Sequence, residues 1–424
     1  MSRSIGIESQ VNGMKIRSGK IGLLDEDRSV EPTSILLAGD FCPINRTEEA
    51  VLAGKTMEMV ESIVPILESS DISILNLEAP LTLSETAIKK TGPNLKGDPG
   101  CVEFIERAGF NVANLANNHI KDFGSAAVLE TVGVLEDSGI ASVGAGGNLE
   151  KAAKPLIFEK SGRRIAILAY AENEFSIAGR TSAGAANLDL VSNLEQIRQV
   201  SSENDVTIVL VHGGNEYCPV PSPRMRQWYR AFAGAGASAV IATHTHCPQG
   251  MEIVEGVPIV YSMGNFLFDT PYEGGEYSED DFWWKGYLVR LIFSGKKPAS
   301  VELVPVSSGP EGGAVKLIEG NQREVFLGYL EHLSDIIQDE AKLEGLWSAW
   351  CLKQGPVWME YFRKAQYPCT RNEAWMDMMI LRNGFTCEAH HEVVKTFLRM
   401  ICEDRIGVAE KFVSELEQLQ QGHF

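Results

Sequence analysis

Eight histidines occur in the 424-residue chain, and three of them, His212, His244 and His246, fall within 35 residues. They close two apolar, β-branched runs, VTIVLVH and ASAVIATHTH, and a third run, PIVYSMGNFLFD, closes on Asn265 and Asp269. Short apolar runs bounded by Gly or Pro read as buried strands, and open sheets gather ligands at the carboxyl ends of their strands. Two imidazoles plus a third from a neighbouring strand suit borderline divalent metals such as Zn, Mn or Fe. Satisfied loop histidines are the plainer alternative, but imidazoles concentrated at successive strand ends favour the metal. One residue separates His244 from His246, so an extended strand would splay their rings to opposite faces. They can share a cluster only if a loop bends the chain there.

Further strand ends lie upstream. SILLAGD closes on Asp40, ISILNLE on Asn76 and Glu78, and FNVANLANNH on Asn117, Asn118 and His119. Five runs thus deliver carboxylate, carboxylate, amide with imidazole, imidazole, and paired imidazoles. Singly, Gly39-Asp40 or Asn117-Asn118 reads as ordinary turn chemistry. In joint order they read as a ligand set. Arg46 and Glu216 are substrate or supporting groups, with a surface salt bridge as the alternative. Cys247, beside His246, is more simply a buried free thiol.

The elements that must position these residues follow in chain order. A helix is expected over 47–70, with Thr47 as cap and a break near Pro65. Others are expected over 101–109, closed by Gly109, over 125–139, and over 222–235, where Ser222 caps and Pro223 takes the first turn. Between them the strands continue through IASVGAG, RRIAILAY and VTIVLV. Such alternation predicts an α/β domain. YLVRLIF and SVELVPV, joined at GKKP, read as a closing hairpin, and SSGPEGG at 307–313 as a linker. The loop over 273–284 reads either as a lid or as packing on a sheet edge. From 321 to 424 the pattern is helical, rich in Leu, Trp and Met.

Taken together, GDFCPINR (39–46), NLEAPLT (76–82), ANLANNHIKDFG (113–124), VHGGNEY (211–217), VIATHTHCPQGMEI (240–253) and YSMGNFLFD (261–269) resemble a known family. It is the CapA-like branch, the capsule and poly-γ-glutamate biosynthesis proteins, of the calcineurin-like metallophosphoesterase superfamily. The resemblance covers 33–306. It implies an α/β sandwich of two mixed sheets flanked by helices, divided as extension 1–32, CapA-like domain 33–306, linker 307–320 and an all-helical appendage 321–424. It also implies one or two divalent ions held by Asp40, Glu78, Asn118, His212, His244 and His246, Glu78 being the bridge. By the same resemblance His119 is the general acid, with Asp122 orienting it. Arg46, Asn76, Glu216 and Asn265 are assigned to substrate contact.

Two departures stand out. Where the superfamily has Asp-x-His, this chain has Asp40-Phe41-Cys42, so one ligand is missing or is supplied by the Cys42 thiolate or by water. His212-Gly213-Gly214 replaces the usual His-Trp-Gly and removes a bulky wall. The activity implied is a metal-dependent, phosphoesterase-type hydrolase acting on an anionic small molecule or polymer. The alternative is a non-catalytic or amide-directed accessory protein that binds an anionic polymer or nucleotide.

A net charge of −19, from 57 acids against 38 bases, argues against a nucleic-acid partner. It does not exclude an anionic substrate, because bound metal inverts the local field. The eight cysteines are scattered without a CxxC pair, which predicts reduced thiols and a cytoplasmic setting. No stretch approaches the ~18 apolar residues of a transmembrane helix. A protein partner, if there is one, is expected at the C-terminal helices.

Overall fold

Along Val206–His212 the apolar side chains alternate between two cores: Ile208 and Leu210 enter one, Val209 and Val211 the other. A strand buried on both faces must lie between layers. The computed structural model, which describes residues 16, 18–23, 31–270, 277–278, 281–309, 313–365 and 373–423, places it in the middle of a six-stranded sheet. Its neighbours are Arg163–Ala171 and Ala239–Thr243, both parallel, and antiparallel strands close both edges. A nine-stranded sheet is built on Thr33–Cys42, Ile72–Leu77 and Val112–Asn114, also parallel, with Lys285–Phe293 and Pro298–Ser307 as an antiparallel hairpin beside them. Ile35, Leu37 and Ile74 of the second sheet meet Ile165, Ile208 and Ile241 of the first in the main core. Helices Leu190–Glu203 and Pro223–Gly234 cover the outer face through Ile197, Tyr229 and Phe232. This is the expected architecture of two mixed sheets flanked by helices.

The strands that carry the candidate residues are β1 (Thr33–Cys42), β2 (Ile72–Leu77), β3 (Val112–Asn114), β4 (Arg163–Ala171), β5 (Val206–His212), β6 (Ala239–Thr243) and β7 (Asn265–Phe268). β7 pairs in parallel with β1, with an irregularity at Phe266. Helix α1 (Pro223–Gly234) begins as expected: Ser222 Oγ accepts from the Met225 amide, and Pro223 occupies the first turn. Five further helices, α2 (Gly320–Gln338), α3 (Glu340–Lys364), α4 (Glu373–Thr386), α5 (Glu388–Cys402) and α6 (Val413–Gln420), dominate the C-terminal region. That region shares its interior with the sheets. Phe326, Leu327 and Leu330 of α2 join the main core, while Leu333 and Ile336 join a separate cluster with Val220, Trp350 and Leu416.

Several local expectations need correction. The helix over 47–70 is three short helices, Arg46–Leu52, Thr56–Val60 and Val64–Glu68. Pro65 sits in the first turn of the third, where a missing N–H costs nothing. Thr47 is buried inside the first helix and does not cap it; the N-cap is Asn45, held at φ 52°. The strand expected over 110–119 is only Val112–Asn114, and the following residues form a loop stitched by side-chain amides. Lys20–Gly22, within the N-terminal extension, pairs with the strand Pro298–Ser307. Parts of the 307–313 linker and of the 273–284 loop lie outside the described residues. No helix among the described residues is long and apolar enough to cross a membrane.

Candidate metal centre

The strand ends converge because β1, β2, β3, β5 and β6 all run towards the same edge of the two-sheet stack. β1 carries a register shift between Ala38 and Asp40. Gly39 allows it, since a Cβ there would lie 1.9 Å from the Gly264 carbonyl oxygen. Such a shift re-aims the next side chain. Asp40 is fully buried, its Oδ1 accepting from Asn76 Nδ2 (2.7 Å) and its Oδ2 from the His244 amide (3.0 Å). Asn114 donates in turn to Asn76 Oδ1 (2.8 Å), so two amides fix the first carboxylate.

β6 ends at Thr243, and the backbone then enters the left-handed region at His244 (φ 97°) and again at His246 (φ 53°). Non-glycine residues rarely adopt this conformation, and it collects at functional sites. The two bends keep the rings from splaying: their centroids lie 6.0 Å apart, and His244 lies 4.6 Å from His212. His246 Nδ1 is set by Asn265 Oδ1 (2.9 Å), and Asn265 is fixed by donating to the Trp283 carbonyl.

Glu78 stands among these groups with no exposure, and neither of its carboxylate oxygens meets a hydrogen-bond donor. His212 Nε2 lies 3.4 Å and His246 Nε2 3.8 Å from Oε1. Burial first, and then the charges of Asp40 and Glu216, push the Glu78 carboxyl well above the usual range. The His212 Nε2 atom is crowded likewise, with Asn118 Oδ1 at 2.9 Å and His244 Nδ1 at 3.0 Å. One ring proton cannot serve three acceptors. Burial, then the neighbouring His244 and His246, hold His212 well below its ordinary pKa, so it is the neutral imidazole a cation requires. Glu78, His212 and His244 offer ligand atoms within 4.8 Å of one another, as do Asp40, Glu78 and His246. Glu78 belongs to both groups.

His119 lies on the other side of Asn118 and faces a separate pair. Its Nδ1 is 2.7 Å from Asp122 Oδ2 and 3.1 Å from Lys90 Nζ, and Lys90 also donates to Asp122 Oδ1 (2.6 Å). A carboxylate only accepts, so the Asp122 contact assigns the ring proton to Nδ1. Burial first, and then Lys90, lower the His119 pKa. Asn117 stitches the turn, donating to the Leu77 carbonyl and accepting from the His119 and Ile120 amides.

The structure does not draw every candidate into this cluster. Arg46 closes on Asp269 through its Nε (2.9 Å) and its backbone amide (3.1 Å). Glu216 is exposed on the loop after β5, at the rim of the cluster, where its charge still reaches Glu78. The Cys42 thiol is buried and pushed well up by that burial and by Glu78, Asp122 and Asp40, and it is in neither ligand group. The thiolate substitute is therefore not favoured. Lys90, Asn114 and Thr243, whose Oγ1 is 3.1 Å from His212 Nδ1, were not singled out as site residues in the sequence. Only Asn114 carried a signal there, as a polar residue within an apolar strand.

Residues 34–270, more than half of the chain, match the family model described as bacterial capsule synthesis protein PGA_cap. The chain belongs to that family. It is 29% identical over 252 residues to the capsule biosynthesis protein CapA of Bacillus anthracis, covering 57% of this chain and 61% of that protein. With the PGA biosynthesis protein CapA of Bacillus subtilis it shares 31% identity over 243 residues, 56% of this chain and 63% of that one. The chain thus spans less than two thirds of these relatives. Among solved structures, a phosphatase from Mycoplasma pneumoniae aligns at 14% identity and a TM-score of 0.36, covering 68% of this chain and 93% of that one. A likeness of that size carries no argument about the site.

Proposed function

We propose that the chain is a metal-dependent hydrolase of the phosphoesterase type, acting on an anionic substrate in capsule or exopolymer biosynthesis. The observation that carries this reading is Glu78, a buried carboxylate with no donor among imidazoles with too few protons. In a metal-free protein a proton shared with Asp40 is the one easy relief; a divalent cation resolves the whole group. Glu78, His212 and His244, with the Asn118 carbonyl, would hold one ion of Mn, Fe or Zn. Asp40 and His246 would share Glu78 to hold a second. Such ions, when bound, neutralise anionic oxygens and make water a nucleophile near neutral pH.

The remaining work belongs to the chain. Asp122, itself held by Lys90, holds the His119 ring through Nδ1–H, which leaves Nε2 for the reacting group. An anionic substrate beside that ring offsets the effect of burial and of Lys90, so Nε2 carries a proton to the leaving oxygen. Asn76, engaged with Asp40 and His212, fixes ligands rather than substrate. Asn265 does the same for His246. The described cysteines are free thiols, in keeping with a cytoplasmic setting. The similarity to capsule and PGA biosynthesis proteins supports an anionic polymer or its precursor as substrate.

The test is hydrolysis of a generic phosphodiester and a phosphomonoester, with and without Mn, by the parent and by His119→Ala. Turnover should require metal, and the variant should lose about 10²–10⁴-fold in kcat with its metal content intact. A variant as fast as the parent removes the acid role. Metal uptake without turnover on either ester favours the accessory-protein alternative.

A further inference from the structure

The C-terminal helices and the end of β5 meet at one buried carboxylate. Glu172 directly follows β4, and its amide donates to the His212 carbonyl (3.1 Å). Its side chain is 2% exposed. Oε1 accepts from Arg224 Nη2 in the first turn of α1 (2.5 Å), and Oε2 from the Ala389 amide in the first turn of α5 (3.3 Å). α5 has no side-chain cap of its own. A carboxylate from outside the helix therefore serves one of the N-terminal amides that have no intrahelical acceptor.

The surroundings make this a joint rather than a single contact. Arg224 Nε donates to Glu392 Oε2 on α5 (3.0 Å), so one guanidinium spans carboxylates from two regions. Asn173, next to Glu172, donates its amide N–H to Glu388 of the same helix (2.9 Å). Gly213, next to His212, completes the arrangement, since a Cβ there would stand 2.6 Å from Glu172 Cγ. The absence of a side chain at 213 is what lets Glu172 reach the helical region beside a metal-centre histidine. Removing one member of such a buried charged group leaves the others uncompensated.

We propose that Glu172 is a positioning residue for His212, and that α5 sets the His212 side of the centre through Glu392, Arg224 and Glu172. Its functional consequence rests on His212 being a metal ligand; the positioning itself does not. The C-terminal helices are then a structural component of the site. A family match ending at residue 270 gives no hint of this.

The test uses the full chain, labelled selectively at histidine with ¹³C and ¹⁵N and kept metal-free, with the His212 ring signals assigned by their loss in His212→Gln. Glu172→Gln and the more remote Glu392→Gln should both move those signals. Leu416→Ala, which hollows the helical core away from the joint, should lower the melting temperature and leave them in place. In Mn titrations both joint variants should bind about tenfold more weakly than the parent, as expected for groups that orient ligands. Should Glu172→Gln not fold, Glu392→Gln carries the test. The proposal is overturned if the His212 signals of the folded joint variants coincide with the parent's, or if Leu416→Ala moves them as far. If they move as expected and no form binds Mn, the metal reading falls and the positioning role stands.

Discussion

At the residue scale, the energetics of Glu78 supply a test that needs no substrate. Its carboxyl is raised in the fold, chiefly by burial and then by Asp40 and Glu216. Ionising it therefore costs the metal-free protein stability, a loss that grows as pH rises above the ordinary carboxylate range. Glu78→Gln removes that ionisation. The metal-free variant should be more stable than the metal-free parent at about pH 8, with a gap that closes towards about pH 4; urea unfolding across that range measures it. A gap that widens towards acid would show that Glu78 is stabilised as an anion. The candidate ligand set was legible in the sequence because His, Asp and Glu ending apolar runs are conspicuous. Lys90 was not, because a lysine on a polar loop looks like any solvated side chain until the fold buries it against Asp122.

At the scale of elements, strand ends were easier to read than helices. β5 and β6 are continuous apolar runs, whereas the helix Leu190–Glu203 fully buries only Asn193, Ile197, Val200 and Ser201, two of them polar, and leaves Val191 exposed, so its period was faint. Its start is nonetheless encoded by Asp189, whose Oδ1 accepts from the Ser192 amide (2.9 Å). Asp189→Ala should cost about 1 kcal/mol, measured by urea unfolding at neutral pH. The Ser192 hydrogen bonds depress the Asp189 pKa, so this contribution is present at neutral pH and fades as pH falls through the folded value. A loss within error would show that the helix start is held by packing instead. The sequence required a bend at His244 and His246 for the rings to meet, but its form was beyond it for a different reason. Nothing in a Thr-His-Thr-His run announces a positive φ, which is imposed by the Asp40 carboxylate on the His244 amide and by Asn265 on the His246 ring.

For the whole molecule, the sequence pattern separated an α/β part from a helical part, but it could not show how they share an interior. Phe326, Leu327 and Leu330 complete the main core, and Cys218 and Val220, on the loop after β5, are buried in the helical cluster. Tyr329 Oη donates to the Leu419 carbonyl, tying α2 to α6. A chain ending at residue 318 should therefore aggregate or lose cooperative unfolding, as followed by size-exclusion chromatography and circular dichroism. A monomeric fragment that melts cooperatively would show that the helical region is dispensable for folding.

The central claim is that Glu78 lies at the heart of a metal centre shared by the two sheets. Its most direct measurement is Mn binding to the metal-free full chain by calorimetric titration, with metal content verified by mass spectrometry, for the parent and for Glu78→Gln. One or two tightly held equivalents are expected in the parent, with a stability gain of ~2.7 kcal/mol at hundredfold Kd, and that binding should be lost in the variant. A parent that takes up no divalent metal, or a Glu78→Gln protein that binds as tightly as the parent, would contradict it.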